Sequence, residues 1–515
     1  MLVDHIESIL LLLIAAAVLV RLADIARIPA PIVLVLGGLV IALVPALPDV
    51  ELDPDVIFLV FLPPIIFSAG WRTSPLELRS LMRPLALLAV GLVFLTSAVV
   101  ALVAHALVPG LDWPEAAVLG AVLAPTDAVA PISIFRRLGA PERVRLLVSG
   151  ESMLNDATAL VLYRIAVGVA TGGAFSLGSA TLEYIGISAG GIAVGLAVGF
   201  LVDFFTRRSQ GDVALAIFAS VLAAYGSYVG AEELHVSGIL AAVTTGLYGG
   251  YRAPRSQNAD LRLTAIAFWD VLVFGLETTL FVLLGLQLPG VVETLDASSS
   301  GIGDLIGPAA ALIAASTFLR LAFVFAMGSD AGSSAGERFA VGWSGMRGAV
   351  SLAAALAVPL SLSGRPQIIF LTFAVILVTL VGQGLSLPFI VRALRLEEPR
   401  RWSDEEAVAR MEAAQSALDR IDQMEEEDRA PEQQLQRLRD LYRRRFRTCQ
   451  AVLSGEDPEN AAREQRIVDY GKLRRELIGI EREELLSLRA AGRLRNSTMR
   501  QIERDLDLEE ARIRS

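Results

Sequence analysis

One cysteine among 515 residues, Cys449, excludes an intrachain disulfide and every thiolate metal cluster. Basic charge is also in deficit. The formal net charge is -10, and the arginines of the first four hundred residues are scattered in short loops without interleaved aromatics, which excludes nucleic acid as a partner. The N-terminus lacks the basic stretch of a secretion signal and carries Asp4 and Glu7 instead, so the apolar run behind them is expected to stay as a first helix. Apolar residues, by contrast, make up 54% of the chain, and the mean hydropathy is +0.56. A soluble core does not need that much apolar surface, so an all-α polytopic membrane protein is the expected class. The apolar runs stop near Leu396, and dense Arg, Glu and Asp follow. This places a membrane domain over 1–395 and a cytoplasmic helical tail over 396–515.

Runs near the ~20 residues that cross ~30 Å of hydrocarbon fall at 8–26, 32–47, 54–70, 84–108, 114–136, 148–170, 185–206, 212–230, 234–250, 264–288, 303–327, 337–360 and 366–394. Arg21 and Arg27, Arg72, Arg79 and Arg83, Arg136, Arg137, Arg143 and Arg145, Arg207 and Arg208, Arg252, Arg255 and Arg262, and Arg338 all fall in alternate loops. The opposite loops are acidic, with Arg365 their only basic residue. The positive-inside rule then gives thirteen spans in a cell membrane, with the N-terminus outside and the tail in the cytoplasm.

An ionisable side chain within a span is costly and therefore a functional candidate. In the fifth run, Ala124-Pro-Thr-Asp-Ala-Val-Ala-Pro131 puts Asp127 between two prolines, each of which removes a helix hydrogen bond. An interrupted helix with free carbonyls beside a carboxylate is expected. The sixth run contains Gly150-Glu-Ser-Met-Leu-Asn-Asp-Ala157, with Ser152 and Asp156 on one face and Glu151 and Asn155 on the adjacent stripe. The twelfth contains Gly345-Met-Arg-Gly348, a second break around Arg347, and the eleventh contributes Arg320. The fifth and twelfth runs point in opposite directions, as inverted repeats of secondary transporters do. Asp127 and Arg347 would offset the partial charges of the half-helix ends. Asp156, Asp127, Ser152, Glu151 and Thr126 with its carbonyl are hard oxygen donors that suit an alkali cation or a proton and not a transition metal. A carboxylate that holds either a proton or a cation yields obligate exchange. Arg320 or Arg347 requires an acidic partner, and Glu151 is the nearest unassigned acid.

These segments, with AEELHVSGILAA, ETTLFVLLGLQL and GMRGAVSLA in the same order, resemble the cation/proton antiporter 1 family of bacterial sodium/proton antiporters and animal sodium/proton exchangers. The resemblance covers about residues 1–395. It implies a homodimer with a dimerisation subdomain and a mobile core that shifts like an elevator, the fifth and twelfth spans crossing in that core. It also implies Asp156 as the ion- and proton-binding acid, with Asp127, Ser152 and the Thr126 carbonyl as further ligands and Glu151 contributing directly or through water. Asn155 stands where electrogenic relatives have a second aspartate, which implies electroneutral exchange. By the same resemblance Glu151 pairs with Arg320, Arg347 has a structural or pH-response role, and Glu277 lies near the cation pathway.

The expected activity is thus exchange of Na⁺, or Li⁺, for H⁺, with no enzymatic activity and no cofactor. A K⁺/H⁺ antiporter on the same scaffold and a non-transporting membrane sensor are the rival readings. Asp203 is expected to pair with Arg207 at the inner interface, and Arg164 to remain hydrated at an outer funnel. His105 and His235 lie by span ends and are not expected to be ligands. The GIGD at Gly301–Asp304 mimics an intramembrane protease motif, but it lies in a loop with no matching Tyr-Asp helix. In the tail, helices are expected to break at Pro431, Gly455–Pro458 and Gly492, with apolar stripes at Leu435, Leu438 and Tyr442 and at Leu473, Leu477 and Ile480, and a capping box at Thr498 and Gln501.

Overall fold

The computed structural model describes residues 2–43, 54–173, 177–208, 212–256, 259–296, 301–332, 334–396, 404–427, 429 and 431–454, with scattered positions between 477 and 506. Two compact units emerge, Met1–Pro399 and Arg400–Ser515. The first contains α1 (Leu2–Ala26), α2 (Ala30–Ala42), α3 (Pro54–Arg72), α4 (Pro75–Ser80), α5 (Met82–Leu107), α6 (Trp113–Leu123), α7 (Val129–Leu138), α8 (Glu142–Ala170) and α9 (Leu177–Arg208). It continues with α10 (Val213–Glu233), α11 (Gly238–Ser256), α12 (Ala259–Leu286), α13 (Leu288–Asp296), α14 (Ile302–Ala326), α15 (Ala335–Trp343), α16 (Ala349–Leu356) and α17 (Arg365–Ala393). No strand occurs among the described residues. Among the described residues, eight helical stretches are long and apolar enough to cross a bilayer, one of them running from α12 into α13, and α2 and α6 are shorter apolar helices. Each of the thirteen sequence runs falls on one helix or one interrupted helix, except that the end of the second, 44–47, lies outside the described residues.

Local chemistry sets the ends. Asp212 accepts the Leu215 N–H and Ser334 the Glu337 N–H, both at 3.1 Å, to start α10 and α15. The Asp304 carboxylate accepts the Gly301 N–H at 3.3 Å, so the GIGD motif is the opening turn of α14. Pro125 follows the end of α6, and Pro131 falls in the first turn of α7, where its missing N–H has no intrahelical acceptor to lose. Gly345 and Gly348 flank the equivalent gap between α15 and α16.

The helices sort into two groups by packing. One comprises α1–α3 and α9–α12; the other comprises α5–α8 and α14–α17. In the first, Gly70 and Gly246 let α3 and α11 meet backbone to backbone, since a Cβ on either would run into a carbonyl of the other helix. The second group consists of two triplets, each a long helix, an interrupted helix and another long helix. The interruptions at 124–128 and 344–348 come together between them.

In the second unit, α18 (Asp404–Glu426) and α19 (Glu432–Ser454) form a hairpin. Ala407, Ala414 and Ile421 of α18 and Leu435 and Cys449 of α19 are its buried seam. Leu438, expected in that stripe, is 42% exposed. Arg439 takes the seam position next to it because its guanidinium reaches Asp422 at 2.7 Å and also Glu425. These hydrogen bonds, those donated to Asp422 first, hold the Arg439 pKa above its usual value. Leu477 and Ile480 are exposed while Ile478 is buried, so the second stripe runs through a different register. The helix break at Pro431 is present. The Gly455–Pro458 turn, Leu473, Gly492, Thr498 and Gln501 lie outside the described residues.

Candidate functional site

Where the two interruptions meet, the Asp127 N–H donates to the Met346 carbonyl at 2.7 Å. The Asp127 carboxylate accepts the Val129 N–H at 2.8 Å, capping α7. It also lies against Gly348, where a Cβ would collide with it just before α16 begins. One carboxylate therefore faces two helix N-termini. Arg347 does the reverse. Its Nε donates to the Leu123 carbonyl at 3.2 Å and its Nη1 to the Gly345 carbonyl, at the C-terminal ends of α6 and α15. Its backbone N–H donates to Thr379 Oγ1 at 3.3 Å, within the π-helical turn Thr379–Gln383 of α17. Each charge thus sits against partial charges of opposite sign.

Helix α8 supplies the rest. Both Glu151 oxygens are bonded by Arg320, with Nη2 to Oε2 at 2.7 Å, and Arg320 Nη2 also donates to the Val341 carbonyl at 3.1 Å. Of the two arginines, then, Arg320 holds Glu151. Both side chains are almost fully buried, at 3% and 2% exposure. Thr126 Oγ1 donates to Glu151 Oε1 at 3.0 Å. Asn155 Nδ2 donates to Thr126 Oγ1 at 3.0 Å and to the Thr126 carbonyl at 3.1 Å, leaving that carbonyl one lone pair. Ser152 Oγ accepts the Ala128 N–H at 3.3 Å.

The residues singled out in the sequence thus divide. Glu151, Asn155, Thr126 and Arg320 are buried and bonded in one network, and Arg347 is buried against backbone carbonyls, whereas Asp127, Ser152 and Asp156 are only half-buried. Asp156, one turn beyond Ser152, forms no ion pair among the described residues and lies close enough to Asp127 for the charges to interact. Among those residues, no cluster of three or more His, Cys, Asp or Glu side chains could hold a metal ion. The accessible donors are two carboxylates, a hydroxyl and part of a carbonyl, all hard oxygens suited to a monovalent cation or a proton.

Glu277 of α12 lies within electrostatic reach of Asp127, Arg72 and Arg136, and Arg72 itself pairs with Asp270 at 2.6 Å. Asp203 binds Arg207 and also Arg252. Arg164, expected to stay hydrated, is paired with Glu232. His105 contacts the Leu111 carbonyl and stacks on Trp113. Two residues had no standing in the sequence. Thr379 looks like one hydroxyl in an apolar run. Glu115 looks like a loop charge, yet it is buried and accepts the Ser363 hydroxyl at 3.1 Å and the Gly364 N–H at 2.9 Å, joining the start of α6 to that of α17. Its only sequence signal is that an acid follows Pro114 in a first helical turn.

The family described as "Sodium/hydrogen exchanger, transmembrane" matches residues 9–393. The chain belongs to this sodium/hydrogen exchanger family. An uncharacterised Na⁺/H⁺ exchanger of Mycobacterium tuberculosis is 34% identical over 95% of this chain and 92% of its own length. A sodium, potassium, lithium and rubidium/H⁺ antiporter of Bacillus pumilus is 33% identical over 70% of this chain and 58% of its own length. Among solved structures, the sodium proton antiporter MjNhaP1 from Methanocaldococcus jannaschii at pH 8 superposes with a TM-score of 0.62 at 21% identity, covering 77% of this chain and all of that one. At that identity the likeness establishes the fold. As a member of the sodium/hydrogen exchanger family, the chain is a multi-pass membrane protein of an antiporter and not an enzyme family.

Proposed function

We propose that the chain exchanges Na⁺, with Li⁺ as a second substrate, for H⁺ at a shared site made by Asp156, Asp127, Ser152 and the Thr126 carbonyl. The observation that carries this reading is the contrast among the acids. Glu151 is committed to Arg320 and Asp127 to helix ends, while Asp156 is half-buried, without a cationic partner among the described residues, and beside Ser152. A carboxylate in that state must take up something positive, and a proton and an alkali cation compete for it. Exchange follows because the empty, charged form is the one least suited to cross a low-dielectric barrier. With Asn155 in place of a second acid, one proton leaves for each cation bound, and exchange is electroneutral. The two helix groups support a homodimer in which α1–α3 and α9–α12 stay fixed and α5–α8 with α14–α17 carry the site between faces. Thirteen crossings with the N-terminus outside and the tail in the cytoplasm fit the arginine distribution. The name of the Bacillus pumilus relative makes K⁺ the second reading for the cation.

Reconstitution of the full chain in vesicles with an entrapped pH dye, adding Na⁺, Li⁺ and K⁺ in turn, tests the proposal. Proton flux driven by Na⁺ and Li⁺ is the expected result. No flux with any of the three would overturn it in favour of a membrane sensor.

A further inference from the structure

Beyond Asp156, α8 carries two polar side chains that leave their own helix group. Thr158 Oγ1 lies 3.3 Å from the Tyr184 hydroxyl of α9. Arg164, eight residues and so about two turns after Asp156, bonds Glu232 at the end of α10. Among the described residues, the ion pairs Arg72–Asp270, Arg83–Asp330, Arg207 and Arg252 with Asp203, and Arg320–Glu151 each join residues of one group.

Glu232 is a fixed receiver. Its Oε1 accepts the Gly238 N–H at 3.1 Å, capping the start of α11, and leaves Oε2 for the arginine. The intervening turn is tight, with His235 at φ 58° and the Val236 N–H donating to the Ala231 carbonyl at 3.0 Å. Asp127 in turn lies only within electrostatic reach of Glu277 of α12, an acid that repels it. Both of these ties, Thr158 to Tyr184 and Arg164 to Glu232, lie on the Arg164 side of Asp156. They are also of a different kind from the Arg320–Glu151 bond, since Arg164 and Glu232 are 38% and 34% exposed. Water competes for a pair of that exposure, so it is weak enough to open and close.

We propose that Arg164 and Glu232 form a latch that closes the ion site toward the Arg164 end of α8, and that this bond must break before the site opens there. The latch rests on the antiporter reading, because only an alternating site has a closed face. In the topology above, the latched face is the outer one. Arg164 and Glu232 are positioning residues, since they set which side the site serves and touch no ion themselves.

Two variants of the full chain, in vesicles of known orientation, test this. Glu232→Gln keeps an oxygen for the Gly238 N–H and removes the ion pair. The Na⁺ KM at the outer face is expected to fall about two- to fivefold, the effect of losing an exposed pair, while that at the inner face rises. A merely structural role would change the rate without splitting the two faces. In the second variant, Arg164→Cys with Glu232→Cys in a Cys449→Ser background is bridged by a short bis-methanethiosulfonate. Exchange should stop and return on reduction. Bridged protein exchanging at the unbridged rate, or Glu232→Gln leaving both KM values unchanged, would overturn the latch while the antiporter stands. An unmodified chain that moves no protons in response to cations would overturn the antiporter reading and the latch with it.

Discussion

Asp127 and Met346 share one backbone hydrogen bond of 2.7 Å, and it joins the two interrupted helices at the point where each has lost its own ladder. An N–H freed by the first break is satisfied by a carbonyl freed by the second. Neither interruption is therefore stable without the other, and the site residues on α8 are assembled against a crossing that forms as one unit.

Asp156→Asn is expected to fold, since no ion pair of the described residues depends on Asp156, and to abolish exchange by removing the titrating group. Size exclusion and cation-driven dye response on the same preparation check both parts. Full dye response from a monodisperse variant would sink the assignment.

Glu151→Gln or Arg320→Ala leaves one charge stranded in a site almost closed to water. Either change is expected to cost roughly 3–5 kcal/mol and to lower the melting temperature in detergent sharply. Unchanged melting in both would mean that the pair does not hold the core.

Gly348→Ala places a methyl group against the Asp127 carboxylate. The backbone there, at φ -137°, accepts any residue, so the penalty is steric, about 1–3 kcal/mol for overpacking. The Na⁺ KM should rise as Asp127 is displaced, and a wild-type KM would show that Asp127 does not contribute to the site.

Because proton and Na⁺ compete for Asp156, the Na⁺ KM is expected to rise as pH falls on the side of Na⁺ entry. In the acidic limb the slope should approach about tenfold per pH unit, the limit for one proton displaced per ion. The end point should be the same with or without a valinomycin-clamped potential, because a potential acts only on net charge, at ~2.3 kcal/mol per charge per 100 mV. A gradient that moves with the clamp would show a second titrating acid, with Asp127 the first suspect.

Burial in the hairpin pushes the Cys449 thiol pKa up, keeping it protonated and unreactive at neutral pH. Maleimide labelling of the intact protein should be slow and should accelerate when urea opens the hairpin. Equal rates would show that Cys449 is not in the seam.

Much of this was legible in the sequence because membrane helices obey strong constraints. Paired prolines and paired glycines beside a charge marked both interruptions, and the i, i+4 spacing placed Ser152 and Asp156 together. What was illegible depended on partners distant in the chain. Glu232 sits 68 residues from Arg164 in a loop that reads as merely acidic, so hydration was the natural expectation for the arginine. Leu438 failed because a seam is chosen by the facing helix, and Arg439 had two acids waiting there. Thr379 and Glu115 act on backbone groups, which no side-chain motif announces.

Arg347 is bound to two carbonyls and its N–H to a hydroxyl, so its charge is immobile, like the fixed group of an ion-exchange resin. With Glu151 and Arg320 neutralising one another, and Glu277 of α12 facing Arg72 and Arg136 as well as Asp127, the fixed charges of the crossing and of α8 beside it are that guanidinium and the carboxylates of Asp127 and Asp156. The resin cell is short by a single positive charge. One proton or one alkali ion fills it, whereas a divalent ion would overfill it by the same amount. Valence is thereby screened before size, and calcium or magnesium should be refused however well the oxygens fit.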